Sequence, residues 1–213
     1  MAQKIAVIDY GMGNLRSVSK AIEHVAGDAE VRTTDDPKYI AAADRVVFPG
    51  QGAARDCMAA IGEHHLNQAI LGAAESKPFL GICMGLQVLM CHSEENNGTG
   101  LLNLFGGNVK RFDGLAMGDN GLPLKIPHMG WSPVHQVAGH PLWEGIEDNS
   151  RFYFVHSYRV VPEDVGVIAA TTDYGVRFTS AIARDNLFAT QFHPEKSADT
   201  GLQLLQNFVN WSI

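Results

Sequence analysis

The stretch "PFLGICMGLQVLM", residues 78–90, begins as an apolar run of strand character and ends with Leu86, Leu89 and Met90 spaced as one face of a helix. A cysteine stands at the junction, with Gly81 two places before it and Gly85 two places after. A cysteine that only filled core would need neither glycine, and both weaken regular structure. A nucleophile on a sharp strand-to-helix turn needs both, because strand and helix then pass too close for neighbouring side chains. This is the G-x-S-x-G elbow with sulfur in place of oxygen. Such a turn sets the sulfur at a helix N-terminus, where unpaired amides and the dipole favour thiolate and lower a thiol pKa from about 8.5 to ~3.5–7.5. The alternative is a buried structural cysteine with incidental glycines.

Upstream, "KIAVID" (4–9) is β-rich and runs through the turn "YGMGN" into "LRSVSKAIEHVAG", where Leu15, Val18, Ile22 and Val25 keep helical spacing and Gly27 is a stop. "RVVFPG" (45–50) and "FLGIC" (79–83) read as further buried strands. Apolar strands alternating with helices predict βαβ units and a parallel sheet covered on both faces. From "FYFVHSYRVVP" to "GVIAATTDYGVRFTSAIARDNLFATQF" the strands follow one another with turn signals and little helix, which predicts antiparallel pairing in the C-terminal half. A last helix is expected over roughly 201–211, with Leu202, Leu205 and Phe208 on one face. Between Asn96 and Gly130 the chain is rich in glycine and turn formers, the composition of surface loops. The expectation is one α/β domain over residues 1–213: an open, mostly parallel central sheet with flanking helices and antiparallel strands in the second half.

The chain has 213 residues, 46% hydrophobic and 18% charged, ordinary for a soluble globular protein. Its formal net charge of -7 argues against nucleic acid or an anionic membrane as partner. Three cysteines, Cys57, Cys83 and Cys91, are too few and too odd for a disulfide framework and suit a reducing cytoplasm. No run approaches the roughly 20 apolar residues of a membrane span.

A cysteine elbow needs a base. His193 ends a β-like run and opens "HPE"; Pro194 pushes it into an extended conformation, so Glu195, two residues on, can share its face and either contact the ring or lie alongside it. Base and orienting carboxylate then arrive together. The alternative is a surface His-Pro-Glu turn. The order Cys, His, acid differs from α/β-hydrolases, where the acid precedes the histidine. A thioester-forming enzyme also stabilises an oxyanion. One donor is the Met84 backbone N–H; the second is expected in Gly50-Gln51-Gly52, which follows a strand end.

"PGQG", "GICMGLQ" and "FATQFHPEKS", in this order and spacing, resemble the class I (triad) glutamine amidotransferases. With "DYGMGNLRSV", "PGQGAARDCM", "IPHMGW" and "FYFVHSYR" the resemblance narrows to the glutaminase subunits of imidazole glycerol phosphate synthases, and it runs from Ile5 to about Phe208. The resemblance implies a flavodoxin-like arrangement and hydrolysis of L-glutamine to glutamate and ammonia through a thioester on Cys83, with His193 as acid and base and Glu195 holding the imidazole. It implies that Gln87, Gly52, His156, Ser157 and Tyr158 grip the substrate. It further implies a 1:1 heterodimer with a (β/α)8-barrel cyclase, which uses the ammonia in histidine biosynthesis. The cyclase would meet Asn14, Pro127, His128, Met129, Gly130, Trp131 and Lys196. Trp131 read alone is equally an ordinary core residue. Ser132 departs from the asparagine that often follows "PHMGW".

No cofactor or metal is expected. Arg16 stands where a dinucleotide-binding turn beginning at Gly11 needs its third glycine. His64-His65 and Cys91-His92 lack metal-ligand spacing and read as helical surface histidines, with Cys57 and Cys91 as small core residues. Three other functions stay open: another class I amidotransferase, a regulatory subunit with a dead site, and, more remotely, a cysteine peptidase.

Overall fold

The computed structural model describes residues 2–112 and 123–213. Its first half alternates strands and helices: β1 (Lys4–Ile8), α1 (Leu15–Val25), β2 (Glu30–Thr34), α2 (Pro37–Ala42), β3 (Arg45–Gly50), α3 (Ala54–Glu63), α4 (Asn67–Ser76), β4 (Phe79–Cys83) and α5 (Met84–Gln87). Short strands follow: β5 (His92–Ser93), β6 (Thr99–Gly100), β7 (Gly107–Arg111), β8 (His128–Pro133) and β9 (His135–Gln136). The last part carries β10 (Arg151–His156), β11 (Tyr158–Pro162), β12 (Ile168–Tyr174), β13 (Val176–Arg184), β14 (Leu187–Thr190) and α6 (Ala198–Asn210). Strands β6 and β7 and the start of β8 thus lie inside the stretch expected to be loop, while "DGLAMGDNGL" (113–122) lies outside the described residues.

The main sheet runs β2-β1-β3-β4-β14-β13-β11-β7-β5-β6, with β12 and β9 continuing from β13. Pairing is parallel from β2 to β14 and antiparallel from β14 through β13 and β11 to β7. Alternation along each strand sends Ile5, Val7, Val47, Leu80 and Ile82 to the face covered by α1 and α6. Ala6, Ile8, Val46, Phe48 and Phe79 go to the face covered by α2, α3 and α4. Both faces are buried, so these strands read as unbroken apolar runs.

Helix α1 is capped by Asn14, whose side chain accepts from the Ser17 N–H, and it ends at Val25, two residues before the left-handed Gly27. Helix α6 begins three residues earlier than expected. Its buried face is centred on Leu204, Leu205 and Phe208, with Leu202 half-buried at its edge. The elbow helix is shorter than the apolar spacing suggested. Only Met84–Gln87 is α-helical, because the carbonyls of Val88, Leu89 and Met90 turn to accept N–H groups from residues 102–105. Cys57 is core, as expected, but Cys91 is only half-buried, its thiol directed to the Asn103 side chain. His64 caps the end of α3 and His92 sits in β5, so neither lies within a helix.

Three histidines are built into the packing as neutral rings. Burial lowers His128 and His140 to about 4 and His156 to about 3. Unfolded, each takes up a proton near 6.5, so the unfolded state binds more protons between about 6.5 and those values. The stability they confer is complete above pH 6.5 and is lost as pH falls through that window. The guanidinium midpoint is therefore expected to be clearly lower at pH 4.5 than at pH 7; an unchanged midpoint would contradict the assignment.

Candidate active site

The sequence-predicted nucleophile, base and carboxylate meet at the end of adjacent parallel strands. Cys83 closes β4 opposite Gly50 of β3, with φ 56° and ψ -103°, a left-handed backbone for a residue with a side chain. Both glycines are explained by close approach. A methyl group on Gly85 would overlap the Phe48 carbonyl oxygen, and one on Gly81 would lie 2.8 Å from the Gly85 oxygen and 2.9 Å from the Ala189 Cβ. Gly50 is bare for a similar reason, since the Tyr10 hydroxyl and the Met84 Cβ crowd it.

The partner strand fixes the base. In the β4–β14 ladder Ile82 pairs with Thr190, so Gln191 emerges beside Cys83 and His193 two residues later on the same side. His193 is extended (φ -103°, ψ 97°), as Pro194 demands, and its backbone N–H donates to the Tyr153 oxygen. Glu195 is not in an extended segment: Pro194–Lys196 is one 3-10 turn. That turn swings the carboxylate under the ring, and Nδ1–H donates to Oε1 at 2.8 Å. Ser197 locks the turn, donating to the His193 oxygen at 2.6 Å and accepting from the Tyr153 N–H at 3.0 Å. The closely packed His193 and Glu195 exclude the surface-turn reading.

With Nδ1 committed to Glu195, Nε2 is buried and free of hydrogen-bond partners. Burial works against a charged ring, but the negative charge of the neighbouring Cys83 sulfur and the Glu195 carboxylate overcome it and raise the imidazole to about 10. Cys83 and His193 line one cavity, and Nε2 is left without a hydrogen-bond partner, a common state of an unliganded site.

Beside them lies a cavity of about 400 Å³. Gln51, Gly52, Met84, Gln87, Ser157 and Tyr158, all expected at the site, line it together with Cys83 and His193. His156 borders it, but its ring faces inward, hydrogen-bonded to the Tyr158 oxygen and to His128. Lys196 also reaches the wall, as does Pro127. Two residues escaped the sequence reading. Glu95 is the one carboxylate among the described residues lining this cavity, and it caps α3 through the Ala54 N–H. Nothing in its glycine-rich surroundings marked it. Gln191 donates to Cys83 Sγ at 3.7 Å, and its two-residue spacing from His193 was the available signal.

The residues expected at a partner surface divide. Met129 and Trp131 are 62% and 46% exposed, with Trp131 edge-on to Tyr153, so Trp131 is not core. Strand alternation turns His128 the other way, into the interior. Asn14 is exposed at the start of α1 and borders a small crevice behind Glu195. Among the described residues no cluster of three His, Cys, Asp or Glu side chains is arranged to hold a metal, and no helix is long and apolar enough to cross a membrane.

The family described as glutamine amidotransferase class-I matches residues 6–211. A protein of Aromatoleum aromaticum named imidazole glycerol phosphate synthase subunit HisH is 59% identical over 208 residues, 98% of each chain. One of the same name from Thiobacillus denitrificans is 62% identical over 213 residues, all of this chain and 93% of that one. Among solved structures, that of PurLQS from Thermotoga maritima superposes with a TM-score of 0.74 at 19% identity, covering 99% of both chains, a likeness of fold.

Proposed function

Because this chain belongs to the class-I glutamine amidotransferase family, we propose that it is the glutaminase subunit of an imidazole glycerol phosphate synthase. The observation that carries the chemistry is Cys83 on a left-handed elbow beside a buried His193–Glu195 pair.

In this reading Cys83 Sγ attacks the side-chain amide carbon of L-glutamine. The amide oxygen becomes an oxyanion facing the Met84 N–H and a backbone N–H of Gly50-Gln51-Gly52, donors worth roughly 2.7–4 kcal/mol each. His193, charged at neutral pH, gives its proton to the nitrogen as ammonia leaves and the thioester forms. Acylation removes the negative charge from sulfur while burial of the ring persists, so the influences that raised the imidazole weaken. The same ring is then a base: it takes a proton from water, which attacks the thioester and releases glutamate. Glu195 holds the imidazole in one tautomer throughout. Gln87, Ser157 and Tyr158 orient the substrate, and the Glu95 carboxylate is placed to meet its α-ammonium group.

Ammonia passes to a (β/α)8-barrel cyclase in a 1:1 complex, docked on the exposed Met129 and Trp131 with Asn14, Pro127 and Lys196 around them. We infer a cytoplasmic enzyme acting as a single amidotransferase domain. The test is glutamate release from glutamine by the chain alone and mixed with the cyclase. Release is expected to be slow alone and to rise at least about tenfold with the cyclase and its ligand. No release in either case would leave only a binding role, and full rates alone would refute partner dependence.

A further inference from the structure

We propose that Gln191 is a positioning residue for Cys83, its side-chain amide locked with the N–H toward Sγ by a buried hydrogen-bond network that ends at Ser132. The inference rests on the reading of Cys83 as nucleophile.

Gln191 is fully buried. Its Nε2 donates to Cys83 Sγ at 3.7 Å, and its Oε1 accepts from Gln87 Nε2 at 3.0 Å. Gln87 Nε2 also donates to the Tyr158 carbonyl at 3.3 Å, so both its hydrogens meet acceptors. Flipping the Gln191 amide would set two NH2 groups against each other and an oxygen against the sulfur. One orientation survives.

The Tyr158 carbonyl fixes the far side as well. It only accepts, so His156 Nδ1, 2.7 Å away, carries the hydrogen. The ring is neutral because burial depresses it, so its Nε2 is an acceptor and His128 Nδ1 donates to it at 3.0 Å. His128 is neutral for the same reason, leaving Nε2 to accept from the Ser132 hydroxyl at 2.8 Å. Each tautomer follows from the one before, and no alternative arrangement satisfies every buried atom. His128 is held further by stacking between Phe154 and Tyr174. The titratable side chains that line the cavity with the sulfur are His193, Glu95 and Lys196, with Tyr10 just past β1 and Cys57 on α3 also acting on it. Gln191 is the side chain among the described residues that donates to the sulfur.

A donor to sulfur stabilises its negative charge and restricts where it points, both before attack and when the thioester breaks. The test is Gln191→Met, which keeps length and removes the donor. Two quantities are read: the pH profile of iodoacetamide alkylation at Cys83, followed by peptide mass in the chain alone, and kcat and KM for glutamine in the cyclase complex. The alkylation midpoint is expected to rise by about one pH unit and kcat to fall roughly tenfold, with KM changed less than about threefold. Gln191→Asn, which keeps an amide too short to span Gln87 and Sγ, should move the profile the same way and decides the matter if the methionine variant does not fold. An alkylation profile superimposable on the parent's would overturn the inference. If Cys83→Ala still hydrolyses glutamine, the nucleophile reading fails instead, so the two failures are separable.

Discussion

Cys83→Ala is expected to lower glutamine hydrolysis by at least about 10⁴-fold while leaving the chain folded. The thiol is the atom that bonds to substrate, and the remaining donors stabilise an oxyanion only after something attacks. Cys83→Gly should be equally inactive but more stable than the parent. At φ 56° and ψ -103° a Cβ is strained, at a cost of about 1–3 kcal/mol, whereas glycine takes this backbone freely. Part of the gain is offset by the larger chain entropy that glycine loses on folding. Chemical denaturation should place Cys83→Gly above Cys83→Ala by about 1 kcal/mol. Equal stabilities would mean the elbow stores no strain, and retained glutaminase activity in the alanine variant would remove Cys83 from the chemistry.

Gly85→Ala is expected to destabilise the chain by more than about 3 kcal/mol or to prevent folding, and to eliminate alkylation of Cys83 at its normal rate. The added methyl would meet the Phe48 carbonyl on β3, a backbone group that cannot rotate away, so strand and elbow must separate. Gly72, in the middle of α4, is the control. A methyl there meets nothing within 4 Å, so Gly72→Ala should stabilise by roughly 0.5–1 kcal/mol through helix propensity alone. Denaturant midpoints of the two variants should therefore move in opposite directions. A mild effect at Gly85 would show that the tight passage is not required.

What was readable in the sequence was what is local. Strands β1, β3 and β4 announced themselves as apolar runs, whereas the parallel edge strand β2, EVRTT, gave no such signal; the elbow was legible because a cysteine between spaced glycines has few other uses. The His193–Glu195 pair was legible too, although the contact comes from a 3-10 turn rather than from strand alternation, because Pro194 both extends His193 and starts that turn. The helix after Cys83 was overextended, since its apolar spacing does not reveal that residues 102–105 claim its last carbonyls. Glu95 and the inward His128–His156 pair were out of reach because their partners are distant in the chain: Glu95 meets the start of α3, and the two histidines face each other across β8 and β10. His128 belongs to an exposed-looking motif, and only the facing of β8 against β10 shows which of its neighbours turn outward.

The strand that brings the base has a bearing on how this molecule comes into being. Gln191 and Cys83 stand 108 positions apart in the chain yet touch across one rung, because β14 is inserted next to β4 after almost everything else has been made. A polypeptide emerging from the ribosome can lay down β1 to β4 and even its sharp bend long before it owns an imidazole to set there. Competence thus arrives with the final threading event, late and all at once, as is usual where distant segments must find each other. A half-made copy holds a thiol and no means of using it.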